Sequence, residues 1–160
     1  MPNLSTMYVN NIAPRDAAAV LFPNKPAFLV GRTDGNYTSV VGKFQLNTAK
    51  YNVGNVWNTT SYEFTAPIDG MYFFYGQIYY NSGAINPRCQ IRKNDNENLV
   101  TAQRTITASD NTNTISIMHR CVAGDRIYLY SDQNNSQTHY YGLNDPTYGP
   151  HTYFMGYLIG

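Results

Sequence analysis

Three histidines, ten carboxylates and two cysteines are the side chains of this 160-residue chain on which hydrolytic or metal chemistry would rest. His119, His139 and His151 stand on separate segments, and the chain has no His-Glu-x-x-His, no Gly-x-Ser-x-Gly elbow and no glycine-rich phosphate loop. His119 shares its strand phase with Ile115, Ile117 and Cys121, which predicts a hydrogen-bonded core histidine rather than a base. Carboxylates such as Asp34, Asp95, Asp125 and Asp145 fall in turn-like stretches. A glycosidase needs two carboxyls facing each other across a cleft, and nothing in the pattern points to such a pair. Cys89 and Cys121 are 32 positions apart with no second pair, which supports neither a zinc site nor a disulfide framework. Their phases, with Ile91 and with Ile115 and Ile117, predict buried thiols; a cross-sandwich disulfide is the alternative in an oxidising compartment. We expect no enzyme and no cofactor.

The elements that carry these residues are strands. Charged residues make up 13% of the chain, against about 25% in ordinary domains, while aromatics reach 14% and tyrosine alone supplies 15 residues. A net charge of +1 argues against nucleic acid as a partner. No run approaches the roughly 18 apolar residues of a membrane span. The start, Met1-Pro2-Asn3-Leu4-Ser5-Thr6, lacks the basic and apolar segments of a secretory signal, so synthesis in a host cytoplasm is the expectation. From Pro26 onward, β-branched and aromatic runs alternate with Gly, Pro, Asn and Asp. Strands are predicted near 27–32, 38–47, 51–57, 61–66, 71–81, 87–94, 98–107, 112–122, 126–131 and 151–159, an antiparallel all-β sandwich or jelly roll. Residues 1–25 differ in kind. Pro2, Pro14 and Pro23 punctuate isolated apolar anchors, Met7, Tyr8, Val9, Ile12, Val20, Leu21 and Phe22, too sparse for a core of their own. We read them as an anchoring arm ahead of a domain at 26–160.

Two strands fail to alternate. Around Tyr72, Phe74, Gly76, Ile78 and Tyr80, the opposite face reads Met71, Phe73, Tyr75, Gln77 and Tyr79. The last strand sets Phe154, Gly156 and Leu158 against Tyr153, Met155, Tyr157 and Ile159. A two-layer sandwich covers only one face of each sheet. The second face therefore needs another cover, and a second copy of the chain is the simplest; Tyr75, Tyr79, Tyr153, Met155, Tyr157 and Ile159 are the expected contact residues.

The spacing Asn52, four residues, Trp57, six residues, Phe64, five residues, Gly70, then Tyr72 and Phe74 resembles the signature of the globular heads of complement component 1q, whose jelly roll is shared with the tumour necrosis factor superfamily. Leu46 stands where that signature opens with Phe, and Gly76 where it closes with an aromatic. The Gly124-Asp125 turn and the closing Phe154-x-Gly156-x-Leu158 resemble the family's last two strands. The resemblance implies a ten-stranded jelly roll assembled as a homotrimer about aromatic residues. Some relatives hold calcium near the trimer axis, for which Asp95, Asn96 and Glu97 are candidate oxygens, though hairpin-turn chemistry explains them equally well.

A stretch from 132 to 150 is rich in Tyr, Asn and Gly, the composition of adaptable recognition loops; Tyr140, Tyr141, Asn144, Asp145 and Tyr148 are its candidate contacts. Together these features lead us to expect a non-enzymatic virion structural protein of a tailed bacteriophage. It would be a trimeric surface module, a capsid decoration or a tail fibre or tip, held to other virion proteins by its arm and touching a host surface protein or glycan. A secreted complement 1q-like module that binds proteins or glycans is the alternative.

Overall fold

Thirteen consecutive residues, Gly70–Ser82, form the longest strand and set the frame for the rest. Tyr72, Phe74, Gly76, Ile78 and Tyr80 are buried, and the residues between them lie on the other face, as a period of two requires. The structure is a computed structural model that describes residues 25–33, 36–38, 41–82, 88–103, 111–131, 138–140, 142–144 and 149–160. The anchoring arm up to Asn24, Tyr141, Asp145 and Tyr148 lie outside them.

In chain order the strands are β1 (Ala27–Gly31), β2 (Asn36–Thr38), β3 (Gly42–Lys43), β4 (Thr48–Val53), β5 (Trp57–Asn58), β6 (Glu63–Thr65), β7 (Gly70–Ser82), β8 (Arg88–Lys93), β9 (Glu97–Gln103), β10 (Asn111–Cys121), β11 (Arg126–Ser131), β12 (Thr138–Tyr140) and β13 (Tyr153–Leu158). They pair antiparallel into two sheets. A seven-stranded sheet runs β2-β12-β7-β13-β1-β4, with β10 on the other edge of β7. A six-stranded sheet runs β5-β6-β11-β8-β9, with β3 also on β11. This is an all-β jelly-roll sandwich.

Thirteen strands among the described residues replace the ten expected, and the breaks have local causes. The stretch read as 51–57 begins at Thr48 and is interrupted by Gly54 at φ 78° and Asn55 at φ 52°, left-handed backbone that ends β4 before Trp57 opens β5. The stretch 38–47 becomes β2 and β3, after which the chain leaves the ladder and Phe44 N–H donates to Leu129 O at 3.0 Å. Composition predicts a loop over 132–150, yet Thr138–Tyr140 is a strand. β7 extends past the end of β13, so its last residues need another partner, and β12 supplies it.

The inner faces meet around Phe28. Its ring centroid lies 5.1 Å from Trp57, 5.3 Å from Phe64 and 5.3 Å from Phe154. Tyr72 and Phe74 close the cluster against Phe64, each at 5.3 Å. Gly156 sits where a β-carbon would come within 2.7 Å of the Phe74 ring and 2.8 Å of the Phe28 ring, so only glycine lets both rings reach the strand. Gly70 likewise allows a close approach, since a β-carbon there would stand 2.5 Å from Leu158 Cδ1.

Polar groups fasten the cluster. The Asn52 amide copies a backbone unit: its Oδ1 accepts from Trp57 N–H at 2.9 Å and its Nδ2 donates to Trp57 O at 3.0 Å. Trp57 Nε1 donates to the carbonyl of the buried Leu46 at 3.0 Å. Asp125 accepts from Val122 N–H at 2.9 Å and from Asn94 Nδ2 at 3.1 Å, and faces Lys93 Nζ at 3.1 Å. Burial by itself would raise this carboxyl, but those donors together hold it below the ordinary aspartate range.

Candidate functional site

The outward face of the seven-stranded sheet is made by alternate residues of its central strands. Register sets Tyr153 beside Gln77, Met155 beside Tyr75 and Tyr157 beside Phe73, with Leu29 next to Met155 and Ala27 next to Tyr157. On the far side of β7, Met118 faces Phe73 and Arg120 faces Met71. The rings pair across the strands: Tyr75 with Tyr153 at 5.7 Å, Phe73 with Tyr157 at 5.5 Å, and Tyr79 edge-on to His151 at 4.9 Å. Tyr75 Oη donates to Gln77 Oε1 at 3.3 Å, and Gln77 Nε2 donates to His151 O at 3.0 Å. Neighbouring rings take water from the Tyr153 phenol, and this burial, with Tyr75 close by, pushes its pKa up to about 12.

Among the outward positions of β1, β7, β10 and β13, Arg120 alone carries a charge. Met118 is 65% exposed, Tyr157 43%, Ile159 41% and Met71 40%, and all four lie toward one end of the face. Tyr75, Tyr79, Tyr153 and Met155 are half-buried at its centre. The six residues expected as contacts therefore share this one face. Exposed rings and methionines gathered on one face offer binding area.

The opposite outward face, on the six-stranded sheet, is polar and paired within the chain. Lys43 Nζ meets Glu63 Oε1 at 2.6 Å and stands 4.5 Å over the Tyr128 ring. The Arg92 guanidinium lies 3.6 Å over Tyr130 and donates to Gln90 Oε1 at 2.7 Å. At the rim, Arg126 Nη2 reaches Asp95 Oδ1 at 2.6 Å, and Arg92 Nη1 donates to Asn96 Oδ1 at 3.3 Å. Lys93 Nζ is 3.9 Å from Glu97. The three candidate calcium oxygens thus face cationic side chains of the protein itself. No group of three or more His, Cys, Asp or Glu with metal-binding geometry occurs among the described residues.

The other candidate residues fall elsewhere. Cys89 lies on β8 and Cys121 on β10, both as buried thiols, and burial pushes Cys121 up to about 11, out of the range of a reactive thiolate. His119 points inward as its phase predicts, but its buried Nε2 finds no hydrogen-bond partner among the described residues, which corrects the expectation of a satisfied histidine. Strand phase sets direction and says nothing about acceptors on the facing sheet. Asn144 is exposed in a turn, and Tyr140 is on β12. Sequence reasoning placed Met71 on this face without naming it as a contact, and it missed Met118 altogether. Met118 sits among Thr114, Ser116 and Arg120, so its strand reads as ordinary alternation, and only the pairing with Phe73 places it.

A family model, the C1q domain, matches residues 27–159. No curated protein matches the chain. Among solved structures, the globular domain of zebrafish complement 1qA protein superposes with a TM-score of 0.64 at 13% identity, over 85% of this chain and 98% of that one. Eiger TNF from S. frugiperda gives a TM-score of 0.66 at 14% identity, over 86% and 94% of the two chains. Murine APRIL gives 0.62 at 14% identity, over 84% and 98%. The core residues described above are those whose spacing resembles the family signature, and by its match over nearly the whole described region this chain belongs to the C1q domain family.

Proposed function

We propose that this chain is a non-enzymatic binding module that works as a homotrimer, with the outward face of its seven-stranded sheet turned toward the trimer axis. Domains of this family are recognition or ligand modules, generally without enzymatic activity, and they typically form trimers. One observation carries the reading: rings and methionines crowd the outward positions of β7 and β13, with Arg120 the only charge among the outward positions of β1, β7, β10 and β13. Standard interfaces bury about 800 Å² per partner. At about 25 cal/mol per Å² of apolar surface, such a contact offsets the roughly 4–15 kcal/mol that association costs. Tyrosine suits the position because its hydroxyl keeps a polar partner while the ring is covered.

The setting we propose is the surface of a tailed bacteriophage virion, as a capsid decoration or a tail fibre or tip, with residues 1–25 as the tether. Its support is compositional: a low-charge β domain follows an arm whose anchors, from Met7 to Phe22, cannot form a core alone. The test is incorporation. The full chain should copurify with particles, and a chain lacking residues 1–25 should remain soluble and stay out of them. Normal incorporation of the shortened chain would overturn the tether. Glycan or protein binding without any particle association would favour a secreted module instead.

A further inference from the structure

Cations gather on the outward face of the six-stranded sheet. Lys43, Arg88, Arg92 and Arg126 hold outward positions on β3, β8 and β11, against Glu63 on β6 and Asp95 at the rim. None of the exposed large apolar side chains of the described residues lies on β3, β5, β6, β8, β9 or β11. Contacts between proteins draw their affinity from aromatic and aliphatic anchors that become buried. A face with cations and no such anchor suits an anionic, well-hydrated partner.

What each cation is paired with decides which charge remains to be used. Glu63 Oε1 is shared by Lys43 Nζ at 2.6 Å and Arg126 Nη1 at 3.8 Å, and Arg126 is held again by Asp95. Arg92 has only neutral partners. Its Nε donates to Gln90 Oε1 at 2.7 Å and its Nη1 to Asn96 Oδ1 at 3.3 Å, while its plane lies 3.6 Å over the Tyr130 ring. No carboxylate among the described residues forms an ion pair with it. These contacts fix the guanidinium in place. Gln90 is buried and is itself anchored, Nε2 donating to Thr101 Oγ1 at 3.2 Å. One Nη1–H, both Nη2–H and the whole positive charge are left over. Preorganised and unneutralised, the group fits a carboxylate, which accepts parallel N–H bonds from a guanidinium fork.

The neighbours of Arg92 carry hydrogen-bonding groups. Arg88 lies on the same face of β8, about 13 Å along the strand, and exposed Thr101 and Gln103 stand opposite Gln90 and Arg88 on β9. We propose that this face binds an acidic polysaccharide, with Arg92 taking a sugar carboxylate, Arg88 adding charge, and Thr101 and Gln103 meeting sugar hydroxyls. The inference deepens the proposed binding module and rests on it at one point: a trimer axis on the ring-lined face leaves this face outward. The virion setting plays no part in it.

Titration of the full chain with polygalacturonate at low salt is the test, with dextran as a neutral sugar and polyglutamate as carboxylates on a peptide. Polygalacturonate should bind, about tenfold more tightly than polyglutamate, and dextran should not. Arg92→Ala should weaken polygalacturonate binding about tenfold, as expected for hydrogen bonds between charged groups. Arg92→Lys should lose nearly as much, because an ammonium keeps the charge and not the fork. Unchanged binding by either variant would overturn the site, and binding of polyglutamate as tight as that of polygalacturonate would overturn the saccharide. No binding by the native chain would overturn both. Sedimentation of each sample separates the two readings: a trimer that fails to bind contradicts this inference alone, and a monomer that binds contradicts the trimer alone.

Discussion

Both outward faces of the sandwich rest on the same hydrophobic interior, yet they are finished differently. On the six-stranded sheet, Tyr128 and Tyr130 are roofed by Lys43 and Arg92, and those cations are held by Glu63 and Gln90. The aromatic area there is covered from within the chain, and its polar groups are already partnered. On the seven-stranded sheet, Tyr75, Tyr153, Phe73 and Tyr157 stack only on one another, and no cation roofs them among the described contacts. Aromatic content alone therefore does not mark an interface. What marks it is aromatic surface that the chain leaves without a cover of its own.

Charge placed on each face breaks the comparison most sharply. Tyr75→Asp/Tyr153→Asp should make the protein monomeric by sedimentation with its far-ultraviolet circular dichroism unchanged, because each buried, unpaired carboxylate costs several kcal/mol. Thr101→Asp/Gln103→Asp, on the exposed edge of the other face, should leave the mass unaltered. If both pairs act alike, the distinction between the faces fails. Next in size, Asp125→Asn should cost about 2 kcal/mol in urea unfolding near neutral pH, since hydrogen bonds to a charged group contribute roughly that much. The folded carboxyl lies below its ordinary value, so this contribution is present above about pH 4 and fades as the pH falls through the folded value. The deficit of the variant should accordingly shrink in acid.

A smaller effect runs the other way on the ring-lined face. With Tyr153 raised to about 12 in the fold, its contribution is intact below the ordinary tyrosine value near 10 and is lost as the pH climbs toward 12. Urea midpoints should fall across that interval and fall less in Tyr153→Phe; an equal fall would place the titration elsewhere. Smallest of all, Arg92→Ala should cost about 1 kcal/mol or less through the lost ring contact, with no change in assembly. A change in mass would mean that the polar face also takes part.

The architecture was legible wherever periodicity and spacing speak. Phe64, Tyr72 and Phe74 share one face of their strands, and they meet Phe28 and Trp57 in one ring cluster, to which Asn52 fastens Trp57. Two-faced β7 and β13 announced an outward apolar surface for the same reason: alternation is a local property, read one strand at a time. What could not be read depends on neighbours distant in sequence. Gly76 replaces an aromatic because a β-carbon there would stand 2.8 Å from Leu129 Cδ1 on the opposite sheet. Met118 joins the face only through its register with Phe73, and β12 exists because β7 outruns β13. Partner choice at Arg92 and Lys43, which completes the polar face, likewise follows from packing rather than pattern.

If further copies of the chain cover the ring-lined face, native mass spectrometry of the full chain at micromolar concentration should show a single species at three times 18.1 kDa that collapses to 18.1 kDa in the Tyr75→Asp/Tyr153→Asp variant. A wild-type chain that stays at 18.1 kDa over the same concentrations would contradict it.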